Sequence, residues 1–526
     1  MKIPAKWESL QATQSWLQFR ELIDKTVETL LEQARNESDV TAAYAVVMNA
    51  LSAATAASPE PAERDTQLTH ANSFSVINPA TEEVIAECPS ATVAEIEAIV
   101  ATAKQAFKTW RLTKREYRYK LIHQMGDAIL EHSDELAELI TLEQGKPLKN
   151  AREHEVHTSA AWCRAITEFS LPSTVLEDTA EFRSVLHHRP LGVVVGITPW
   201  NYPLNTAVWK ILPAIATGNT VILKPSPYTP LATLRLGEII RTIFPPGVVN
   251  IITGGNDVGQ RLAEHPDVNK ITVTGSMATG KRVMASAATS NLKRVTLELG
   301  GNDPAIVMDD VDIAAIVPSL FWYAFLNSGQ VCIAIKRLYV HEAIYDELCR
   351  ALVDYAKTVT LGNGMDDGVM LGPLQNSMQY QRVIGFIDSV RRDGGRFLCG
   401  GDIPDQKGYF VPVTLATDLN DDAYLVTEET FGPVLPILKF SDVCDVIERA
   451  NNSRYGLGAS VWSKDIAKAR QIAEQIEAGN VWINHHLAKK PDAPFGGVKE
   501  SGIGVENTEL GLAQFTDIQV VRHPRN

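Results

Sequence analysis

LGVVVGITPWNYPLNTAVWKILPAIATGNTVILK, residues 191–224, places a strand, a helix and a second strand in direct succession. Leu191–Ile197 is apolar on both faces, the loop that follows carries Pro199 and Pro203, residues 206–218 read as a helix, and Thr220–Lys224 is a second apolar strand. A strand with no polar face belongs in a sheet covered on both sides, and strands alternating with helices make that sheet parallel. Ligands of such sheets bind beyond the strand carboxyl ends. VVNIIT (248–253) and KITVTG (270–275) repeat the pattern, each ending near a glycine and followed by a helical stretch. From about residue 302 to 493 a second α/β segment runs through PAIVM, RLYVHE, VLPILKF and ASVWS.

Upstream, FSVINP (74–79) and EVIAECP (83–89) read as short strands, and helical patterns fill 92–168. Residues 1–70 read as a separate extension: an amphipathic helix over 16–35, an alanine-rich helical stretch over 40–57 and the linker SPEPAERDTQ. At roughly 150 residues per domain, a chain of 526 residues holds about three or four domains. With 45% hydrophobic and 21% charged residues it can bury a large core. A net charge of −14 argues against nucleic acid and anionic lipid as partners. No apolar run reaches the roughly 20 residues that cross a bilayer. The opening MKIPAKWESLQ shows no secretory pattern, so a cytoplasmic protein is expected. The six cysteines are scattered without a CxxC pair, and no metal site is suggested.

Cys332 stands apart because of its company. It lies in FLNSGQVCIAIKR (325–337), and the chain also holds, in order, PWN at Asn201, KPSPYTP at Lys224, VTLELGG at Glu298 and EETFGP at Glu429. Taken singly, Glu298 reads as an exposed carboxylate, Lys224 as a solvated strand end and Asn201 as a turn former. Their joint order, with VTGSMATG from Val273 and PFGGVKESGIG from Pro494, resembles the aldehyde dehydrogenase superfamily from about Phe74 to Val520.

The resemblance implies an α/β fold with a Rossmann-like cofactor domain (71–167 and 189–300), an α/β catalytic domain (301–504) and an oligomerisation β-arm (168–188 and 505–526). It implies that Cys332 is the nucleophile, because adding a thiolate to an aldehyde makes the tetrahedral carbon from which hydride can leave. Asn201 and the Cys332 backbone N–H would stabilise the oxyanion, Glu298 would activate water for thioester hydrolysis, and Lys210 and Glu506 would relay the proton. Lys224 and Glu429 would bind the two riboses of the cofactor. Ile197, Thr198, Pro199, Trp200, Ser226, Pro227, Gly275, Ser276, Leu299, Gly300 and Phe431 would complete its site, with the turn at Gly275 and Gly280 opening a helix suited to phosphate.

Pro227 stands where many NAD-preferring relatives carry a glutamate, three residues after the lysine, so NADP remains open, while the lack of an added Arg or Lys in KPSPYTP to pair with a 2′-phosphate favours NAD. The aldehyde tunnel is expected from Tyr202, Asn205, Trp209, Leu326, Val331, Ile333, Leu487, Lys489 and Phe495, which favours an apolar or aromatic aldehyde. Asn205 and the loop HHLAKKPD (485–492) depart from the usual larger or aromatic residues. A homodimer or homotetramer is expected. Two other readings stay open: a coenzyme A-acylating enzyme, and an inactive binding protein on the same scaffold.

Overall fold

Val193–Ile197, Thr220–Lys224 and Lys270–Thr274 are buried almost end to end, the state expected of strands covered on both faces. The computed structural model describes residues 73–488 and 490–525; the extension 1–70, with its helical readings and linker, and Lys489 lie outside the described residues. In chain order, β1 (Ser73–Asn78) and β2 (Glu83–Pro89) form an antiparallel hairpin. Helices α1 (Val93–Trp110), α2 (Arg115–Glu131) and α3 (Ser133–Gln144) follow. Thr92 caps α1, accepting the Glu95 amide while the Glu95 carboxylate takes the Thr92 N–H. A π-helical turn at Ala151–Val156 leads into α4 (His157–Ala165).

β3 (Thr174–Asp178) and β4 (Phe182–Pro190) lead to the first parallel layer. It consists of β5 (Val193–Ile197), α5 (Pro203–Ala216), β6 (Thr220–Lys224), α6 (Leu231–Ile240), β7 (Val249–Ile251), α7 (Asn256–Glu264), β8 (Lys270–Thr274), α8 (Met277–Thr289) and β9 (Arg294–Glu298). The second layer takes β10 (Asp303–Val307), α9 (Ile313–Phe325), β11 (Ile335–His341), α10 (Tyr345–Ala356), α11 (Ser377–Arg392), β12 (Arg396–Cys399), β13 (Thr414–Thr417), β14 (Val434–Phe440), α12 (Val443–Asn451), β15 (Gly458–Trp462), α13 (Ile466–Ala473) and β16 (Asn480–Ile483). The chain then returns through β17 (Gly502–Ile503) and α14 (Thr508–Ala513) to β18 (Thr516–Pro524).

The first sheet runs β17-β9-β8-β5-β6-β7 and the second β12-β13-β14-β11-β10-β15-β16. Only β17 and β12 run antiparallel to their neighbours. In the first sheet, β6 and β8 flank β5 on opposite sides, so the winding reverses there and a crevice opens beyond the carboxyl ends of β5 and β8. Ile197 and Gly275 sit at that crevice. β9 ends at Glu298 and β10 begins at Asp303, so the crossing between the sheets falls within a few residues of both. β18, β4 and β3 form a separate antiparallel sheet. Residues 505–515 are not part of it: Glu506 and α14 pack near α5, and the arm strand begins at Thr516.

Candidate active site

The approach to Cys332 is a strained turn. After α9, Asn327 and Ser328 adopt φ of 54° and 55°, and Gly329 follows at 74°. Two non-glycine residues in the left-handed region persist only where their surroundings over-determine them. Ser328 Oγ donates to the Gly372 carbonyl (2.6 Å), Asn327 Nδ2 to the Asn201 carbonyl (3.1 Å), and Gln330 Nε2 to the Asn327 carbonyl (2.9 Å). A Cβ on Gly329 would overlap the Gly432 backbone, so glycine is required. The turn delivers Cys332, half-buried, between the buried Val331 and Ile333 at the entry to β11.

Asn201 belongs to the loop after β5, yet its side-chain Nδ2 donates to the Gln330 carbonyl at 2.9 Å, two residues before the thiol. A carboxamide nitrogen has two N–H donors, and this bond uses one. The loop is held by a residue that the sequence reading missed. Lys146 Nζ donates to the Asn201 carbonyl (2.8 Å), pairs with Glu155 (3.2 Å) and lies 3.7 Å from the centre of the Tyr202 ring. Burial lowers the Lys146 amine and pushes Glu155 up to about 7, while their mutual attraction opposes both shifts. Burial also raises the Tyr202 phenol.

A second missed lysine braces the thiol from the other side. Lys336 Nζ donates to the carbonyls of Val331 (2.9 Å) and Cys332 (2.6 Å) and lies 3.4 Å from the Glu429 carboxylate. The signal was present: a lysine inside the apolar strand IAIKRLYV needs a buried acceptor. Glu429 also accepts the Gly301 N–H at 3.1 Å. Burial raises its carboxyl, and the Lys336 and Arg382 charges hold the rise back. A Cβ on Gly301 would come within 2.7 Å of the Cys332 carbonyl oxygen, so the segment after Glu298 runs against the thiol turn.

Glu298 ends β9, buried to 4% exposure, with its carbonyl accepting the Gly275 N–H at 3.1 Å. Lys210 on α5 and Glu506 form a buried ion pair. Glu506 is also bonded through its backbone to Phe495 in both directions.

Around the crevice, Thr198 N–H donates to the Lys224 carbonyl (3.2 Å), and the Trp200 carbonyl accepts the Thr229 hydroxyl (3.2 Å). The Trp200 ring meets Phe431 edge-on at 5.2 Å. Lys224 is 4% exposed rather than solvated, and a Cβ on Gly259 would sit 3.6 Å from its Cδ. Ser226 accepts the Tyr228 N–H (3.3 Å), and Pro227 is partly exposed beside it. A Cβ on Gly275 would meet Val273 Cγ1 at 3.8 Å and Thr279 Cβ at 4.0 Å, ordinary contacts that leave the backbone uncrowded, and Ser276 caps α8 by accepting the Thr279 N–H (3.2 Å). The helix thus presents its amino end at the crevice, as an anion site requires. Gly280 lies under Leu299, where a Cβ would come within 2.6 Å of Cδ1. Leu299 and Gly300 are both tied to Ser501, and a Cβ on Gly300 would overlap the Glu429 carboxylate. Uncrowded backbone at Gly275, a helix amino end and buried Lys224 and Glu429 make a donor set that fits a dinucleotide.

Tyr202, Trp209, Val331, Cys332, Ile333, Leu487 and Phe495 share one apolar cluster. Trp209 stacks on Trp162 at 5.2 Å, a partner on α4 that the sequence reading missed, and meets Phe495 edge-on at 6.0 Å. Asn205 instead turns its amide toward the Ser159 hydroxyl (3.4 Å). Leu326 caps α9 and is not part of the cluster around Cys332.

The aldehyde dehydrogenase family profile matches residues 67–521. Cytosolic aldehyde dehydrogenase 1 of Mus musculus is 39% identical, over 85% of this chain and 91% of its own length. Phenylacetaldehyde dehydrogenase of Pseudomonas fluorescens is 39% identical, over 84% and 91%. The NAD+ complex of an aldehyde dehydrogenase from Bacillus cereus superposes with a TM-score of 0.84 at 38% identity, covering 86% of this chain and 94% of that one. A profile match over most of the chain, relatives near 40% identity and a shared fold agree with the arrangement around Cys332: the chain belongs to the aldehyde dehydrogenase family and is an NAD(P)-dependent oxidoreductase.

Proposed function

We propose that this chain oxidises an apolar or aromatic aldehyde to its carboxylic acid through a covalent intermediate on Cys332, with NAD as the preferred cofactor. The observation that carries the reading is the Asn201 amide bonded to the Gln330 carbonyl, which ties an oxyanion donor to the thiol turn across 129 residues of sequence. The Cys332 thiolate adds to the carbonyl carbon, and the oxyanion that forms takes the second Asn201 N–H and the Cys332 backbone N–H. NAD(P)+, when bound, accepts the hydride. Glu298 then draws a proton from water as it attacks the thioester, and the Lys210–Glu506 pair carries the proton onward. Lys224 and Glu429 would hold the riboses of the cofactor, and the amino end of α8 would supply N–H donors suited to its pyrophosphate.

An apolar substrate is supported by the aromatic set Tyr202, Trp209 and Phe495 and by the relative named for phenylacetaldehyde. Pro227 places no carboxylate against a 2′-phosphate, yet no added cation in KPSPYTP pairs with one, which supports NAD. The division into cofactor domain (71–167, 189–300), catalytic domain (301–504) and arm belongs to the same proposal, with the arm taken as 168–188 and, since its last strand begins at Thr516, 516–526. So do a homodimer or homotetramer built through the arm and a cytoplasmic location. Among the described residues no helix is long and apolar enough to cross a membrane, and a relative is named cytosolic.

The test is a kcat/KM profile over aliphatic, aromatic and carboxylated aldehydes with both nicotinamides, alongside Glu298→Gln. The variant should give a burst of NADH and then stall as an acyl enzyme. Steady turnover of Glu298→Gln in water, or a preference for carboxylated aldehydes, would contradict the reading.

A further inference from the structure

The loop after β16 holds a second buried polar arrangement next to the thiol, one that the chemistry above does not use. His486 is fully buried, with its Nε2 2.8 Å from the carbonyl of Ile333, the residue after Cys332. A carbonyl only accepts, so Nε2 carries the proton. The same nitrogen lies 3.7 Å from Oδ2 of Asp303, at the start of β10 and 1% exposed. Neither Asp303 oxygen, nor His486 Nδ1, has a hydrogen-bond partner among the described residues. Buried polar atoms left in that state carry a desolvation cost that an apolar pair would avoid.

The backbone around them is also unusual. Asn484 and Leu487 adopt φ of 53° and 59°, in the left-handed region and without being glycine. Further contacts fix the loop besides the Ile333 bond: Asn484 exchanges two hydrogen bonds with the Ser463 backbone (2.9 and 2.7 Å), His486 packs on Trp482 at 4.8 Å, Trp482 Nε1 donates to the Ala488 carbonyl (3.2 Å), and Tyr323 bonds His485 (2.9 Å). Between them Leu487 joins the apolar cluster that contains Cys332, Tyr202 and Trp209. One imidazole therefore grips the strand entry that carries the nucleophile, while its chain neighbour presents an apolar side chain to the same cluster.

We propose that His486, through its bond to the Ile333 carbonyl, is a positioning residue that locks the substrate loop to the Cys332 turn and so sets both thiol placement and the fit of the aldehyde at Leu487. The inference rests on Cys332 being the nucleophile. It is tested in the full chain with His486→Leu, His486→Gln and His486→Phe. The readouts are the rate of Cys332 alkylation by iodoacetamide, located by peptide mass, the benzaldehyde-to-acetaldehyde ratio of kcat/KM, and the NAD dissociation constant. His486→Leu should slow alkylation and lower kcat/KM by about 10- to 10²-fold, the scale of a small misplacement of reacting groups. It should shift the aldehyde ratio and leave NAD affinity unchanged, and His486→Gln, which keeps a donor, should recover most of the loss.

A folded His486→Leu with wild-type alkylation and aldehyde ratio overturns the inference. If that variant does not fold, His486→Phe, which keeps a planar ring and removes the donor to Ile333, is read by the same measurements, with slower alkylation supporting the proposal and no change overturning it. Should aldehyde protect a cysteine other than Cys332 in the wild-type chain, the nucleophile assignment fails and this inference with it.

Discussion

Asn201 shows how much of the chemistry depends on a single amide. One of its N–H groups is used on the Gln330 carbonyl and the proposed mechanism gives the other to the oxyanion, so truncation removes the brace on the thiol turn and, on that reading, the donor. Asn201→Ala should lower kcat by on the order of 10²–10³, measured as the NADH burst rate, with NAD affinity unchanged. A burst at wild-type rate would remove Asn201 from the oxyanion site. Single residues were poorly legible before the fold. Glu298 and Lys224, each ordinary as an isolated residue, are both 4% exposed, and only the order of the surrounding motifs marked them. Lys146 and Lys336 went unmarked because their partners, Glu155 and the Asn201 carbonyl for one and Glu429 and the Cys332 carbonyl for the other, are supplied by chain folding and not by spacing.

Among the elements, β5, β6, β8, β11, β14 and β15 were legible because continuous apolar runs of that length fit buried parallel strands. β12, β13 and β16 are four residues each and β17 is two, too short for a pattern to form. The π-helical turn at Ala151–Val156 shifts the register of the helix into α4 and has no mark in composition. The end of α3 is set by one residue. Gly145 has φ 96°, and a Cβ there would come within 2.9 Å of Pro79 and 2.8 Å of Pro373. Gly145→Ala should cost at least about 1–2 kcal/mol, read as a lower urea midpoint at unchanged m-value.

On β8, burial lowers the Lys270 amine from 10.5 to about 7, with Lys210 adding repulsion and Glu506 opposing it. Its folded value is depressed, so its stabilising contribution is full above 10.5 and is lost as the pH falls toward about 7. Across that window the wild type should gain thermal stability over Lys270→Met as pH rises. A difference in Tm that stays flat with pH would contradict this.

For the whole molecule, the third sheet is the part that a single chain leaves unfinished. β18 pairs along its length with β4, and β4 with β3, so the two outer edges carry no strand partner within the described residues. Its faces carry exposed apolar side chains interleaved with charged and histidine residues. Ile518 and Val520 are 64% and 53% exposed, and Val521, Val185 and Val175 line up across the strands in register. Edge strands of this kind are normally blunted by charge or covered, and exposed apolar rows mark contact surfaces. Arg189 donates to Gln519, and Arg183 and Arg522 pair with Asp178 and Glu177 while remaining 40% and 56% exposed, so the apolar rows run between paired charges. In the proposed oligomer a second copy of the chain would cover these exposed apolar side chains, as helices cover the two larger sheets. Val520→Asp combined with Val175→Asp should therefore reduce the particle mass in light scattering toward that of one chain. Because Val175 and Val520 lie in a sheet that shares no strand with the two that carry the site, the NADH burst per site should survive. An unchanged mass would place the subunit contact elsewhere and leave these rows without a role in assembly.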